Sequence, residues 1–223
     1  MAVSNVKRQR GFSLLELMIA MTIMLILMGI VSMLLTRALG VRNRESQKTD
    51  ALTSAQAALN VISRAVANSG FGLYSDPVTK VPVNGLIIAD SDASHIRVRA
   101  NVNNTQAYTS STVNGTFDPG EDITYFLDPS TASIIRYDRN AVAPTPTASV
   151  VVNRISAVNF QYVNYTYGSS ATTTTSTPTN TTGRVIISVV VQLPPVYGQP
   201  NPGTVTFTSD VTLRNANYML QQY

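Results

Sequence analysis

Lys7-Arg8-Gln9-Arg10-Gly11-Phe12-Ser13-Leu14-Leu15-Glu16-Leu17 is the stretch from which the rest of the chain can be read. Three cations, Lys7, Arg8 and Arg10, precede the small residue Gly11, and an apolar run opens directly behind it. From Leu17 to Thr36 there is no charge. As a helix rising ~1.5 Å per residue, that run spans about 30 Å, one hydrocarbon core. A single carboxylate, Glu16, stands just inside its start. An unpaired acid is costly in lipid, so it needs a partner or a task, unless it merely snorkels to the interface of a plain signal anchor.

The spacing adds a second constraint. A cut after Gly11 creates a positive amine on Phe12, one helical turn from Glu16. When such helices bundle, the carboxylate of one chain can neutralise the amine of its neighbour, and low dielectric makes that pair matter most. In these residues the chain resembles the prepilins of type IV pili and the pseudopilins of type II secretion. Their processing site is a basic leader followed by Gly, Phe and a Glu at the fifth mature position. Gly11, Phe12 and Glu16 fall on that pattern, and Ser13-Leu14-Leu15 and Leu17 fit its tolerated variants.

The resemblance implies cleavage between Gly11 and Phe12, N-methylation of Phe12, and a role for Glu16 in assembly. It also implies partners: a prepilin peptidase and methylase, other major or minor pilins or pseudopilins, an inner-membrane assembly platform, and inner-membrane lipid. The implied location is a single pass through the inner membrane with the head in the periplasm, then the pilus or cell surface. An ordinary signal peptide cut near Thr36-Arg37-Ala38 is the rival; its apolar run is too long, and Arg37 lies inside the site. Flanking cations do not decide orientation, because Arg37, Arg42, Arg44 and Lys48 follow the run as Lys7, Arg8 and Arg10 precede it.

The net charge of +4 is a property of the leader. Setting Lys7, Arg8 and Arg10 aside leaves 13 of the 16 basic residues against 12 acidic ones, about +1, and no general case for nucleic-acid binding. Cysteine is absent, so a folded head must rely on its core alone.

Behind the apolar run the helix continues. Leu52, Ala55, Leu59, Ile62 and Val66 recur at spacings of three and four, the stripe of a helix with one buried face. Arg37 to Asp50 is polar nearly all round, a neck, with Gly29 and Gly40 as soft points. Asn68-Ser69-Gly70 is a stop signal, Gly70 suiting the left-handed position past the last turn. The expected organisation is a leader over 1–11, a transmembrane and assembly helix over 12–36, its amphipathic continuation over 37–70, and a β-rich head over 71–223.

In the head the period changes to two. Ile123, Tyr125 and Leu127 alternate with polar neighbours, Asp128-Pro129-Ser130-Thr131 makes a turn, and Ile135 and Tyr137 resume the alternation: a hairpin. Leu86-Ile87-Ile88 and Ile96-Arg97-Val98-Arg99 read as two short strands, and Val158, Phe160 and Tyr162 as another. Arg184 to Leu193 is nearly continuous in β-branched residues, predicting a central strand covered on both faces. Val205, Phe207, Ser209, Val211 and Leu213 alternate with Thr204, Thr206, Thr208, Asp210 and Thr212, one dry face and one wet. Gly168 to Gly183, mostly Thr and Ser, is expected to be a mobile loop, and Pro194 to Pro202 a second irregular connection. The fold class is α+β: pilin-like, a long N-terminal helix packed on an antiparallel β-sheet head.

Three head segments extend the resemblance. Ser69-Gly70-Phe71-Gly72, Glu121-Asp122-Ile123-Thr124-Tyr125 before a hairpin closing on Arg136, and Val211-Thr212-Leu213-Arg214-Asn215 look like those of PilW-type minor pilins, akin to the J-type pseudopilins of type II secretion. The proline that kinks the membrane helix of many major pilins is absent, and Met33 stands there instead. A minor pilin acting in initiation, at the tip or in filament assembly is the reading. A J-like pseudopilin, or a membrane-anchored adhesin or DNA-uptake module, is the alternative.

No enzyme, cofactor or metal is expected. Asp92, His95 and a serine can be drawn as a triad, but any Ser- and Asp-rich chain permits that. Gly70-Phe71-Gly72 lacks the remainder of a dinucleotide signature. Asp118, Glu121 and Asp122 match no calcium loop and read as a solvated acidic cluster. Arg97, Arg99, Arg136 and Arg139 form a basic patch beside Tyr137 if the hairpins pair so, and rim arginines paired with the head's own aspartates otherwise. Asn103, Asn114, Asn164 and Asn180 head N-glycosylation triplets at chance frequency.

Overall fold

The computed structural model describes residues 12–74, 81–102, 118–193 and 203–220. The leader, with Lys7, Arg8, Arg10 and Gly11, lies outside these residues, as do Asn103, Asn114 and the 194–202 connection. Helix α1 runs Leu14–Ala67 without interruption at Gly29 or Gly40. The chain divides into two compact units, Met1–Gln47 and Lys48–Tyr223.

In the first unit none of the described side chains is buried, although from Leu14 to Leu35 they are mostly Leu, Ile and Met. Such a helix is hydrophobic all round, the pattern of a lipid- or protein-embedded element and not of an amphipathic one. Its hydroxyls are satisfied within the helix: Thr22 Oγ1 donates to the Met18 carbonyl at 2.8 Å and Thr36 Oγ1 to that of Ser32 at 2.9 Å.

In the second unit the helix buries Ala51, Ala55, Ala58, Leu59, Ile62 and Val66. Leu52, expected in the stripe, is only half-buried; alanines occupy the inner line, where a small side chain lets the helix backbone lie close to what it packs on. After Ala67 the chain leaves the helix through Gly70 at φ +78°, as the sequence predicts.

Two antiparallel sheets form the rest. The first has order β1-β2-β3-β4, with β1 His95–Arg99, β2 Asp122–Asp128, β3 Ser133–Asp138 and β4 Ala148–Asn153. The second has order β6-β5-β7-β8, with β5 Ile155–Tyr165, β6 Thr172–Thr175, β7 Thr182–Gln192 and β8 Thr204–Thr212. A short helix α2, Asn217–Leu220, follows. One core joins them: Ile62 and Val66 from α1 meet Ile96, Tyr125 and Ile134 from the first sheet and Phe160, Tyr162, Val185, Ile187 and Val189 from the second. The fold is α+β.

Four readings need correction. Leu86-Ile87-Ile88 is not a strand: Leu86 makes one isolated bridge to Val98 and Ile88–Asp90 is a 3-10 turn. On β3 the core residue is Ile134, while Tyr137 is 40% exposed, because the register sets Ile134 opposite Leu127 on the Tyr125 side. Strand β7 is central, but only its Val185, Ile187, Val189, Val191 face is fully buried; Ile186, Ser188 and Val190 are half-exposed. The Thr-rich stretch 168–183 contains β6, paired with β5 from Tyr162 to Tyr165.

Candidate functional site

At the N-terminal end, Leu17 N–H closes the first turn on the Ser13 carbonyl at 3.1 Å, so Phe12 stands just before the helix. Phe12 is 82% exposed. Glu16 lies in the first turn, where the helix dipole favours a negative charge. Below it, Leu17, Met18, Ile19, Met21 and Ile23 present uncovered apolar surface. This is the one helix among the described residues long and apolar enough to cross a membrane.

In the head, Asp92, Ser94 and His95 do come together, but not as a relay. Ser94 Oγ sits 2.9 Å from His95 Nδ1, and Asp92 Oδ1 lies 3.2 Å from that same nitrogen. A relay needs acid and hydroxyl on opposite ring nitrogens. Asp92 Oδ1 also accepts the N–H groups of Ser94 (2.6 Å) and His95 (2.8 Å), a side-chain-closed turn. Burial pushes the Asp92 carboxyl up, but these bonds from Ser94 and His95 outweigh it and bring it down to about 2. The turn is fastened to the second sheet: Tyr162 Oη donates to the carbonyls of Asp92 and His95, and Phe160 N–H to that of Ala93.

The arginines do not make one patch. Arg97 and Arg99 face Thr124 and Asp122 across the β1–β2 ladder, whereas Arg136 faces Tyr125, on the other side of the sheet. Arg97 and Arg99 both bond Asp122, and Arg136 bonds Asp138 at 3.1 Å. Arg97 and Arg139 line an open cleft with Tyr137, Asp90, Asp92 and His95, and Arg97 is held there by Asp90 and Asp122. Nor is the acidic cluster solvated. Glu121 and Asp122 are buried, and Glu121 accepts the Val102 N–H at 3.0 Å. Among the described residues no group of His, Asp or Glu is arranged to hold a metal.

Residues 6–32 match the family model of the prokaryotic N-terminal methylation motif. The chain has a type IV prepilin-like N-terminus. Gly11, Phe12 and Glu16 all lie within the matched stretch. The motif indicates a type IV pilin-like or pseudopilin-like protein; it implies assembly with other pilins and processing by a prepilin peptidase, and with the apolar helix it fits a membrane anchor. No curated protein and no solved structure matches the chain.

Within the head of this pilin-like chain, the three segments singled out from sequence meet around the end of α1. Asn215 Nδ2 donates to the Ser69 carbonyl at 3.1 Å, Arg214 N–H to that of Ala67, Asn101 N–H to that of Phe71, and Ala100 N–H to that of Glu121. Sequence reasoning missed two asparagines. Buried Asn84 donates to the carbonyls of Thr179 (2.9 Å) and Thr182 (3.2 Å) and its own carbonyl accepts Ser69 Oγ at 2.6 Å. Buried Asn164 accepts from Thr179 Oγ1 and Thr182 Oγ1 and donates to Thr175 Oγ1, so it is a structural residue and not an exposed glycan acceptor. Asn164 stands just ahead of a hydroxyl-rich segment, but nothing in the sequence around Asn84 marks it.

Proposed function

We propose that this chain is a minor pilin of a type IV pilus, a structural subunit that acts in the initiating or tip complex and in filament assembly. One observation carries the reading: an apolar helix uncovered on every side, with Glu16 in its first turn, directly follows a prepilin-type processing motif. Such a surface is stable only in lipid or against other apolar helices, and a pilin passes from the first to the second. Cleavage falls between Gly11 and Phe12, Phe12 is N-methylated, and Glu16 pairs with the Phe12 amine of a neighbour.

A minor subunit is favoured over a principal one by the missing helix proline at Met33 and by the PilW-type head segments. The head works in the periplasm and later at the cell surface, and its task is binding and assembly without catalysis. The test is deletion followed by counting surface pili and measuring protein secretion. Loss of pili with secretion intact supports the reading. Normal piliation with a secretion defect assigns the chain to type II secretion as a J-like pseudopilin.

A further inference from the structure

Among the described residues the head has four sheet edges, and three are protected. The outer edge of β1 is covered by Gly85–Ile87, through Arg99 N–H to the Gly85 carbonyl (2.8 Å) and Ile87 N–H to that of Arg97 (3.0 Å). The edge strand β4 carries a bulge where its register to β3 shifts between Ile134 and Ile135, and β6 is four residues long. These are the ordinary means of stopping a sheet from adding strands. The fourth edge, β8, is nine residues long, pairs with β7 in unbroken register and contains no proline.

Its open backbone groups can be named. Leu193 N–H bonds the Gly203 carbonyl and Leu213 N–H the Gly183 carbonyl, so the pairs just beyond both ends of the β7–β8 ladder are hydrogen-bonded ones. Antiparallel pairs alternate, which turns the N–H and C=O of Thr204, Thr206, Thr208, Asp210 and Thr212 away from β7.

At the Ser209–Thr212 end of this edge lies a groove whose other wall is the upper part of α1. Asn60, Ser63 and Arg64 line it with Asp210, Thr212 and Arg214. Ser63 Oγ bonds Ser209 Oγ at 3.1 Å and fixes the helix beside the strand. Asp210 is neutralised by Arg184 from β7 at 2.8 Å. Arg64 and Arg214 are exposed, and neither guanidinium has an acidic partner among the described residues.

We propose that this groove is a docking site for an extended, acidic segment of another protein, which adds as a strand to β8 with its carboxylates on Arg64 and Arg214. Main-chain hydrogen bonds supply the affinity in such strand addition, and the flanking side chains select the segment. Two cations beside a carboxylate are a poor site for a phosphodiester backbone, which favours a peptide over a nucleic acid. The inference stands on the groove and does not depend on the system in which the chain assembles.

The test uses the full chain in detergent micelles and a ten-residue peptide alternating glutamate with threonine. The peptide should bind and slow amide exchange at Thr204, Thr206, Thr208, Asp210 and Thr212, the intervening amides being held by β7 already. A peptide with prolines at alternate positions should not bind. The double variant Arg64→Glu, Arg214→Glu should bind roughly tenfold more weakly, two exposed pairs being reversed. Undiminished binding to that variant, or no alternate-residue protection, would overturn the proposal. So would an oligodeoxythymidine strand that binds as tightly with the same arginine dependence. Concentration-dependent protection of β8 without peptide would instead make the edge a contact between copies, and would also sink it.

Discussion

Arg97 and Asp122 form a two-bond fork inside the head, Nε to Oδ1 at 2.7 Å and Nη2 to Oδ2 at 2.6 Å, with both side chains nearly sealed from solvent. Arg97 Nη1 also bonds Asp90, and Arg99 Nε reaches Asp122 Oδ2 at 2.9 Å. Desolvation pushes the Asp122 carboxyl up, but the bonds from Arg97 and Arg99 outweigh it and hold it below its ordinary value. Removing one partner leaves a buried charge. Asp122→Ala is expected to cost about 3–5 kcal/mol in urea unfolding, and the double variant Asp122→Ala, Arg97→Met less than the sum of the single changes.

The same pair sets a pH dependence. A depressed folded pKa gives stability that is complete above the unfolded carboxylate value, ~3.9, and is lost as pH falls through the folded value. Melting temperature of the head should therefore be flat above about pH 5 and drop below about pH 4, with Asp92 contributing in the window down to about 2. Asp122→Asn should make that drop smaller, leaving the part due to Asp92.

Gly70 and Gly85 touch backbone to backbone. Both have positive φ, and a Cβ on Gly85 would lie 2.1 Å from Gly70 N and 2.4 Å from the Arg99 carbonyl oxygen. Gly85→Ala should cost more than the ~1–2 kcal/mol of left-handed backbone alone, because α1 must move off β1. Gly168→Ala is the control, at φ +72° with open space around it, and should cost no more than that penalty.

A chain beginning at Lys48 should fold as a soluble, cysteine-independent head. A chain beginning at Phe71 lacks the buried Leu59, Ile62 and Val66. At about 1.5–3 kcal/mol each, these account for much of an ordinary domain's 5–15 kcal/mol. Equal urea midpoints for the two chains would show that the helix stripe is dispensable.

Intact mass of the chain from its native membrane should correspond to N-methylated Phe12 as the first residue. Glu16→Gln keeps the shape but leaves that amine unmatched. It should be inserted and cut normally yet co-purify with other pilins several-fold less. Glu16→Asp should fall between. Wild-type recovery of the Gln variant would refute the pairing, and a mature start near Leu39 would favour the signal-peptide reading.

By itself the sequence determined the elements that follow a single rule along the chain. The uncharged run Leu17–Thr36, the spacing of Ala55, Leu59, Ile62 and Val66, the stop at Gly70 and the alternation of β8 are all local periodicities, and each reappears in the structure. What only the tertiary structure decided depended on partners distant in the chain. Ile134 and not Ile135 faces the core because the β2 register places it there. The Thr-rich 168–183 stretch carries a strand and a turn bonded to Asn84 and Asn164, amides that its own composition does not reveal. Glu121 and Asp122 are buried because Val102 N–H and two arginines meet them. A polar residue's burial is set by what reaches it, and hydrophobic periodicity records nothing about that.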